Sequence, residues 1–250
     1  MLSIVQSMGL HGLEGYLINV EVDTSAGLPS FDIVGLPDVS VKEAKERVRT
    51  AIKNSGLNFE SRKIIVNLSP ANTRKEGSLF DLPIAIGILK SMESIENKDL
   101  SDYVFIGELS LDGKLNKVTG VLPICIEAAK LGVKNVILPR ENAKEAAVVK
   151  NINVIPAYDL MQVVNFLNGK VKIEKQEIDI KKLFEVKDKY LFDFSEVKGQ
   201  ENVKRALEIS AAGNHNCLLI GSPGTGKTMI AKRLPTILPS MTFEESLEVT

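Results

Sequence analysis

Hydrophobic positions recur along the first 170 residues with two alternating periods, one typical of strands and one typical of helices. Runs with a period of two predict strands, and apolar residues three or four positions apart predict helices. The predicted strands are 3–9, 16–22, 31–34, 63–68, 104–109, 135–138 and 153–156. The predicted helices are 40–53, 82–89, 122–131 and 160–166. This mixture predicts one α+β domain over residues 1–169.

The helix predicted at 40–53 separates apolar from charged positions. The side expected to be buried consists of Val41, Ala44, Val48 and Ile52. A capping box at Ser40 and Glu43 is predicted to begin the helix, and Gly56 to end it. The opposite side carries Lys42, Lys45, Arg49 and Lys53. Because Glu43 and Glu46 lie beside these cations, we interpret that side as a solvated helix face rather than a track for phosphates.

A second domain is predicted from 192 to 250. Residues 170–191, which are rich in Lys and Glu with scattered Ile and Val, indicate a linker or an edge hairpin before it. The second domain is expected to begin with a helix at 201–212, followed by an apolar strand at 217–220. A further helix is expected after 228, with a kink at Pro235, because helical spacing of the apolar residues continues across that proline.

The segment after the predicted strand has the complete pattern of a phosphate-binding loop. It consists of Gly221, Ser222, Pro223, Gly224, Thr225, Gly226, Lys227 and Thr228. The glycines allow successive backbone N–H groups to turn towards a phosphate, and the lysine can reach the β and γ oxygens. The hydroxyl of Thr228 can hold Mg²⁺. The strand before the loop and the helix after it are the context that the pattern requires, so we predict ATP or GTP as the ligand, together with Mg²⁺.

The residues that follow the loop bear on hydrolysis. Residues 229–250 contain no apolar strand that ends in an acidic residue able to hold Mg²⁺ and orient water. The acidic residues Glu244, Glu245 and Glu248 belong to a capping-box pattern that starts at Thr242, which predicts a short helix with a solvated face rather than metal ligands. We therefore expect the chain to be the front part of a longer nucleotide-driven protein, and the catalytic residues stay unassigned.

Composition narrows the class of protein. Hydrophobic residues make up 44% and charged residues 25% of the chain, which is ordinary for a globular protein. The formal net charge of −1 means that any DNA site must be local. Neither a membrane helix nor a signal peptide is indicated, which favours a cytoplasmic protein without a membrane partner. Cys125 and Cys217 are expected to be small core residues, since they lack CxxC spacing and the chain has two histidines.

Several of these motifs resemble one family. Segments 193–201, 213–216 and 231–239, together with the phosphate-binding loop, resemble the opening of the AAA+ domain in Mg-chelatase-like ATPases of the ComM/YifB group. This resemblance implies a truncated α/β P-loop domain and an adenine-side role for Val197, Gly199 and Gln200. Segment 69–83 is similar to the leading domain of the same group. That domain is itself similar to the proteolytic domain of Lon proteases, which implies a ribosomal-S5-domain-2-like fold.

The resemblance to Lon proteases does not extend to their catalytic residues. A peptidase of that type needs a serine nucleophile that is activated by a lysine. When the chain is laid on the protease pattern, Leu79 occupies the position of the serine and Leu122 that of the lysine. Ser78 lies one residue away from the required position. We therefore predict a leading domain without catalysis, used for assembly or substrate contact.

The function implied by the resemblance is that of an ATP-dependent, ring-forming AAA+ motor. Such a motor would remodel DNA by helicase or branch-migration work linked to competence and recombination. One alternative is a metal-chelatase-like motor that acts on a protein partner. Another is a non-enzymatic binding module, which would apply if the protein ended at residue 250.

Overall fold

The computed structural model describes residues 1–12, 14–60, 62–96, 99–179, 191–242 and 245–246. The chain divides into two compact units, Met1–Ile180 and Lys181–Thr250. The first unit mixes strands and helices, so the prediction of a mixed leading domain is confirmed. No helix in these described ranges combines the length and the apolar character needed to cross a membrane.

The first unit is built on a mixed sheet. The strands are β1 (Leu2–His11), β2 (Glu14–Ser25), β3 (Ser30–Val34), β4 (Lys63–Ser69), β5 (Tyr103–Phe105), β6 (Glu108–Leu109), β7 (Leu115–Asn116), β8 (Asn135–Pro139) and β9 (Asn153–Ala157). The main sheet has the order β3-β4-β2-β1-β5-β8-β9, and β6 pairs with β7 apart from it. In the main sheet β2 is antiparallel to β1 and to β4, and the other neighbouring pairs are parallel.

Helices cover the sheet and connect its strands. In the first unit they are α1 (Val39–Asn54), α2 (Asp81–Ser91), α3 (Val121–Lys130), α4 (Ala143–Ala146) and α5 (Leu160–Leu167). In the second unit they are α6 (Glu201–Gly213) and α7 (Lys227–Ala231). Short 3₁₀ turns lie at Arg140–Asn142, Phe194–Glu196 and Leu234–Thr236.

The core of the first unit lies between the sheet and helices α1 and α2. The side of α1 that was predicted to be buried is buried, and the prediction is confirmed. Helix α2 is buried over nearly its whole length, which fits its almost entirely apolar sequence. A Cβ atom at Gly87 would lie 2.6 Å from Cγ2 of Val22, so only glycine allows α2 to lie this close to β2.

Helix α1 begins earlier than the sequence predicts. Its N-cap is Asp38, whose Oδ1 accepts a hydrogen bond of 2.7 Å from the Val41 N–H, so the capping box proposed at Ser40 and Glu43 is wrong. An aspartate oxygen at this position satisfies a free N–H of the first turn as well as a serine would. The predicted end is confirmed, since Gly56 follows the helix with a positive φ of 74°.

The strand predicted at 104–109 is divided in two. The Ile106 N–H bonds to the Ile137 carbonyl, after which the Gly107 N–H bonds to the Leu79 carbonyl. The chain therefore leaves β8 at Gly107 and turns towards the loop before α2, and β6 pairs with β7 instead. Sequence periodicity could not show this change, because it depends on hydrogen bonds to residues far away in the sequence.

The first part of the segment that was predicted to be a linker or edge hairpin packs on the first unit. In its described part, residues 170–179 form no regular strand or helix. The Gln176 N–H nevertheless bonds to the Val154 carbonyl of β9 at 2.9 Å, and Ile173 packs on the core of the first unit. The rest of that prediction, residues 180–190, lies outside the described residues. The boundaries proposed at 169 and 192 stay predictions.

The second unit departs from the sequence predictions in three ways. Residues 217–220 are not paired as a strand, and Leu218 and Ile220 are 81% and 87% exposed. Cys217 is exposed rather than part of a core, whereas Cys125 is buried as predicted. The helix expected to kink at Pro235 stops at Ala231, and the proline belongs to a separate 3₁₀ turn. A strand needs neighbours to pair with, and the described residues supply none here.

Candidate functional site

The predicted phosphate-binding loop forms a compact turn at the start of α7. Gly224 and Gly226 both have a φ of +84°, a left-handed conformation that strongly favours glycine. The Thr225 hydroxyl donates a hydrogen bond to the Ser222 carbonyl at 2.9 Å, which closes the turn. The loop is largely exposed, and Pro223 lies within the turn. The two positive φ angles explain why the pattern has glycine at these positions.

Lys227 directs its ammonium group into the loop. Its Nζ atom donates to the carbonyl oxygens of Gly221 at 2.8 Å and Ser222 at 2.7 Å, and it lies 3.3 Å from the Thr225 hydroxyl. The positive charge is therefore held at the centre of the turn by groups that a phosphate oxygen could replace. Thr228 follows on the first turn of α7 and is exposed, so its hydroxyl is open to a ligand such as Mg²⁺.

The predicted adenine-side residues take two different positions. Gln200 has a φ of +56°, and its side-chain amide donates to the Thr225 carbonyl at 3.1 Å, so it contacts the loop directly. Val197 is 4% exposed and packs in a small core with Ile230 of α7. Gly199 is exposed, with a φ of +68°, and forms the turn between them.

A small cavity adjoins the loop. It has a volume of about 190 Å³ and is lined in part by Gln200, Leu219, Gly221 and Lys227. This is below the roughly 300–1,000 Å³ of complete small-molecule pockets. Its lining combines apolar side chains with Lys227. Val197 and Gly199 do not line it.

Arg233 connects the opening of the second unit to the segment that follows the loop. Its guanidinium bonds to Glu196 at 2.6 Å and to the carbonyls of Asp193 and Met229, each at 3.1 Å. The Arg233 Cζ atom also lies 4.8 Å from the centre of the Phe192 ring. Arg233 was not among the predicted site residues. The acidic and aromatic residues within 192–196 could have indicated the role of Arg233, because they offer partners for a cation.

The acidic pattern after the loop forms the predicted cap. Glu245 accepts from the Thr242 N–H at 2.7 Å and from the Thr242 hydroxyl, and the Glu245 N–H donates back to that hydroxyl. These hydrogen bonds lower the pKa of the Glu245 carboxyl. Its carboxylate is thus engaged in capping. Glu244 and Glu248 lie outside the described residues.

In the first unit, Ser78 lies one residue from the position that the Lon-protease pattern assigns to the nucleophilic serine. Its hydroxyl donates to the Glu108 carboxylate of β6. The nearest lysine in sequence, Lys75, is fully buried and donates instead to the carbonyls of Pro70 and Thr73. Burial lowers the pKa of Lys75. Leu79 is half-buried against the core, and Leu122 is 8% exposed.

Beside Ser78 lies an ion pair between the buried Asp81 and the partly exposed Arg47, which no local sequence pattern predicts. The carboxylate of Asp81 accepts from Arg47 Nε at 2.7 Å, from Arg47 Nη2 at 3.0 Å and from the Leu109 N–H at 3.1 Å. The aspartate has no exposed surface. Burial raises the pKa of Asp81 to about 6, while Arg47 and the Leu109 N–H oppose the rise. These contacts connect α1, α2 and β6.

Comparison with known families identifies matches in both units. A model described as subunit ChlI of Mg-chelatase matches residues 20–142. A second model, described as magnesium chelatase, subunit ChlI, matches residues 193–250. The phosphate-binding loop lies within the second match.

Individual relatives extend the likeness over nearly the whole chain. Competence protein ComM of Haemophilus influenzae is 44% identical over 248 residues, or 99% of this chain and 48% of the relative. YifB of Escherichia coli is 44% identical over 247 residues, with the same two shares. A Lon protease of Trichlorobacter lovleyi is 22% identical over 182 residues, 68% of this chain and 22% of the protease. The chain spans about half the length of the first two relatives.

Proposed function

Because this chain belongs to the Mg-chelatase-like ComM/YifB group, whose ChlI models are related to AAA+ ATPases, we propose that its second unit binds ATP with Mg²⁺. The observation that carries the proposal is the position of Lys227, whose ammonium group is held inside the loop at 2.7 and 2.8 Å from two loop carbonyls. In this proposal the backbone of 221–226 surrounds the phosphates and Lys227 bonds to their oxygens. Thr228 holds the metal ion.

The adenine side of the site is assigned to the segment from Val197 to Gln200. Gln200 is its strongest member, because its amide already contacts the loop at the Thr225 carbonyl. Val197 supports the site indirectly, since it packs against Ile230 on the helix that follows the loop. Gly199 allows the turn between them by its positive φ.

The protein that contains this chain is proposed to be a cytoplasmic, ring-forming motor that remodels DNA, with helicase or branch-migration activity. The support for DNA is the name of the relative from Haemophilus influenzae, which describes a competence protein. The two-unit organisation, with a Lon-like unit over residues 1–169 before the ATPase unit at 192–250, supports this arrangement over a metal-chelatase motor. In the proposed arrangement the first unit is not a peptidase, since Ser78 contacts a carboxylate and not a lysine.

Nucleotide binding by the whole 250-residue chain tests the proposal. A fluorescent ATP analogue is titrated with and without Mg²⁺ against the wild type, Lys227→Ala and the control Lys232→Ala. The control changes an exposed lysine five residues further along, just after the end of α7. We expect Lys227→Ala to bind at least tenfold more weakly, because bonds to a charged group contribute about 1.5–3 kcal/mol. The control should bind as the wild type does. Equal affinity in all three chains would contradict the assignment of Lys227.

A further inference from the structure

The exposed side of α1 carries four cations without acidic partners. Lys42, Lys45, Arg49 and Lys53, here called the basic stripe, are all exposed. None of them forms an ion pair with any residue that the structure describes. Their neighbour Glu43 lies 3.8 Å from Arg47 instead, on a different side of the helix. Glu46 is the one acidic residue left among them, so the stripe has an excess of positive charge.

Three other exposed lysines of the same unit have acidic partners. Lys114 lies 2.7 Å from Asp112, Lys130 lies 3.1 Å from Glu127, and Lys134 lies 3.0 Å from Asp102. Their charges are locally balanced. The basic stripe differs from them because its charge is available to an external anion.

An aromatic ring holds the end of the stripe in place. Arg49 Cζ and Lys53 Nζ lie 6.0 and 5.7 Å from the centre of the Phe59 ring. Phe59 itself is half-buried and packs on the core. A cation–π contact orients a cation without neutralising it, so both groups keep their full charge towards solvent. Arg49 and Arg62 also line one small cavity of about 60 Å³.

The spacing of the stripe matches an extended polyanion. Lys53 lies eleven positions after Lys42, which corresponds to about 17 Å at a rise of 1.5 Å per residue. One strand of duplex DNA carries a phosphate about every 3.4 Å along its axis. The four cations thus span a length over which one DNA strand carries roughly five phosphates. An isolated phosphate would need convergent donors in a pocket, whereas these cations lie along a line.

The sequence pattern favours a solvated face here, but in the structure Glu43 pairs with Arg47 and not with the stripe. We propose that the basic stripe of α1 is a contact surface for the sugar-phosphate backbone of DNA. The inference rests on the proposed DNA-remodelling function and assigns to the first unit a role in holding the substrate. The interaction is sequence-independent, because contacts to phosphates carry no base information. Its strength should fall steeply with salt, since each neutralised phosphate releases counterions.

DNA binding by the whole chain, measured by fluorescence anisotropy over a range of salt concentrations, tests this surface. The test variant is Lys45→Gln/Arg49→Gln/Lys53→Gln, and the matched control is Lys114→Gln/Lys130→Gln/Lys134→Gln. Both remove three positive charges from exposed positions of the same unit, and glutamine keeps the helix propensity of α1. Circular dichroism melts verify that both variants stay folded.

We expect the test variant to bind a 30-base-pair duplex at least tenfold more weakly at low salt. The slope of log Kobs against log salt should become shallower by up to about 2.7, or about 0.9 for each lost contact. The control should keep the slope of the wild type. When polyglutamate competes with the duplex, the chain should bind the duplex more tightly than polyglutamate.

The outcomes separate this inference from the proposed function. Equal losses of DNA affinity in both variants, or a loss in neither, would overturn the proposed role of the basic stripe. The proposed DNA-remodelling function would still stand. A wild-type chain that fails to bind DNA at low salt would overturn both the stripe and the proposed DNA substrate. Stronger binding of polyglutamate than of DNA through the stripe would overturn it in favour of an acidic protein partner.

Discussion

The buried Asp81–Arg47 pair gives the first unit a specific dependence of stability on pH. The perturbation is Asp81→Asn, which keeps the shape of the side chain and removes its titration. In the wild type, burial raises the pKa of Asp81 from 3.8 to about 6 in the folded chain. Unfolding returns the carboxyl to water and to its ordinary pKa. The folded chain therefore holds a proton at this position over a pH range in which the unfolded chain has lost it.

The sign and size of the effect follow from proton linkage. Between pH 3.8 and about 6 the folded state binds more protons at Asp81 than the unfolded state, so the free energy of unfolding falls as pH rises. This contribution is complete below pH 3.8 and is lost as pH rises through about 6. A rise of this size in pKa corresponds to about 3 kcal/mol, of which about 2 kcal/mol lies between pH 4.5 and 7.

The assay is urea unfolding of the wild type and Asp81→Asn at several pH values from 4.5 to 7. The chain has no tryptophan, and three of its four tyrosines, Tyr16, Tyr103 and Tyr158, belong to the first unit, so near-UV dichroism reports mainly on that unit. Other carboxyl groups titrate in both chains, and the difference between the two free energies of unfolding isolates Asp81. The guanidinium of Arg47 stays charged throughout this range.

The expected result is that the wild type loses about 2 kcal/mol relative to Asp81→Asn as pH rises from 4.5 to 7. A difference that is constant with pH would refute the reasoning that burial controls this carboxyl. A wild type that gains stability relative to the variant as pH rises would show the opposite balance. In that case the two hydrogen bonds from Arg47 and the Leu109 N–H would outweigh the cost of burying the charge.

Two further predictions concern single reactive side chains. One thiol per chain should react quickly with a disulfide reagent under native conditions. Cys217 is exposed, whereas Cys125 is buried and its burial raises the pKa of its thiol to about 12. Loss of the fast reaction in Cys217→Ser checks the assignment. Ser78 should not react with fluorophosphonate inhibitors, because its hydroxyl bonds to Glu108 and no described lysine contacts it. Mass spectrometry that finds labelling of Ser78, absent in Ser78→Ala, would contradict the proposal that the first unit is not a peptidase.

Much of the first unit could be predicted from the sequence because its signals are local. The buried side of α1 follows from apolar residues three and four positions apart, and its end follows from a glycine with a positive φ. The phosphate-binding loop is equally local, since Gly224 and Gly226 adopt the backbone conformations that their pattern requires. In each case the residues that determine the structure lie within one or two turns of each other.

The rest could not be predicted because it depends on distant partners. Asp81 meets Arg47, which lies 34 residues away in sequence, and no periodicity connects the two. The division of the strand at Gly107 depends on a hydrogen bond to the Leu79 carbonyl. The N-cap of α1 was predicted wrongly because two nearby residues suit that position. Both Asp38 and Ser40 are suitable cap residues, and only the backbone conformation distinguishes them.

The polar groups near Ser78 support the proposal that the Lon-like first unit is a scaffold and not a peptidase. Asp81 accepts three hydrogen bonds from two other elements, the Ser78 hydroxyl donates to Glu108, and the Lys75 ammonium bonds to backbone carbonyls. A catalytic carboxylate or amine must exchange protons with a substrate, and these groups are already occupied within the fold. The hydrogen bonds of Asp81 connect α1 to α2 and β6. The proposed DNA contact is on the outer side of that same helix, so the buried ion pair would hold the basic stripe in a fixed orientation towards the substrate.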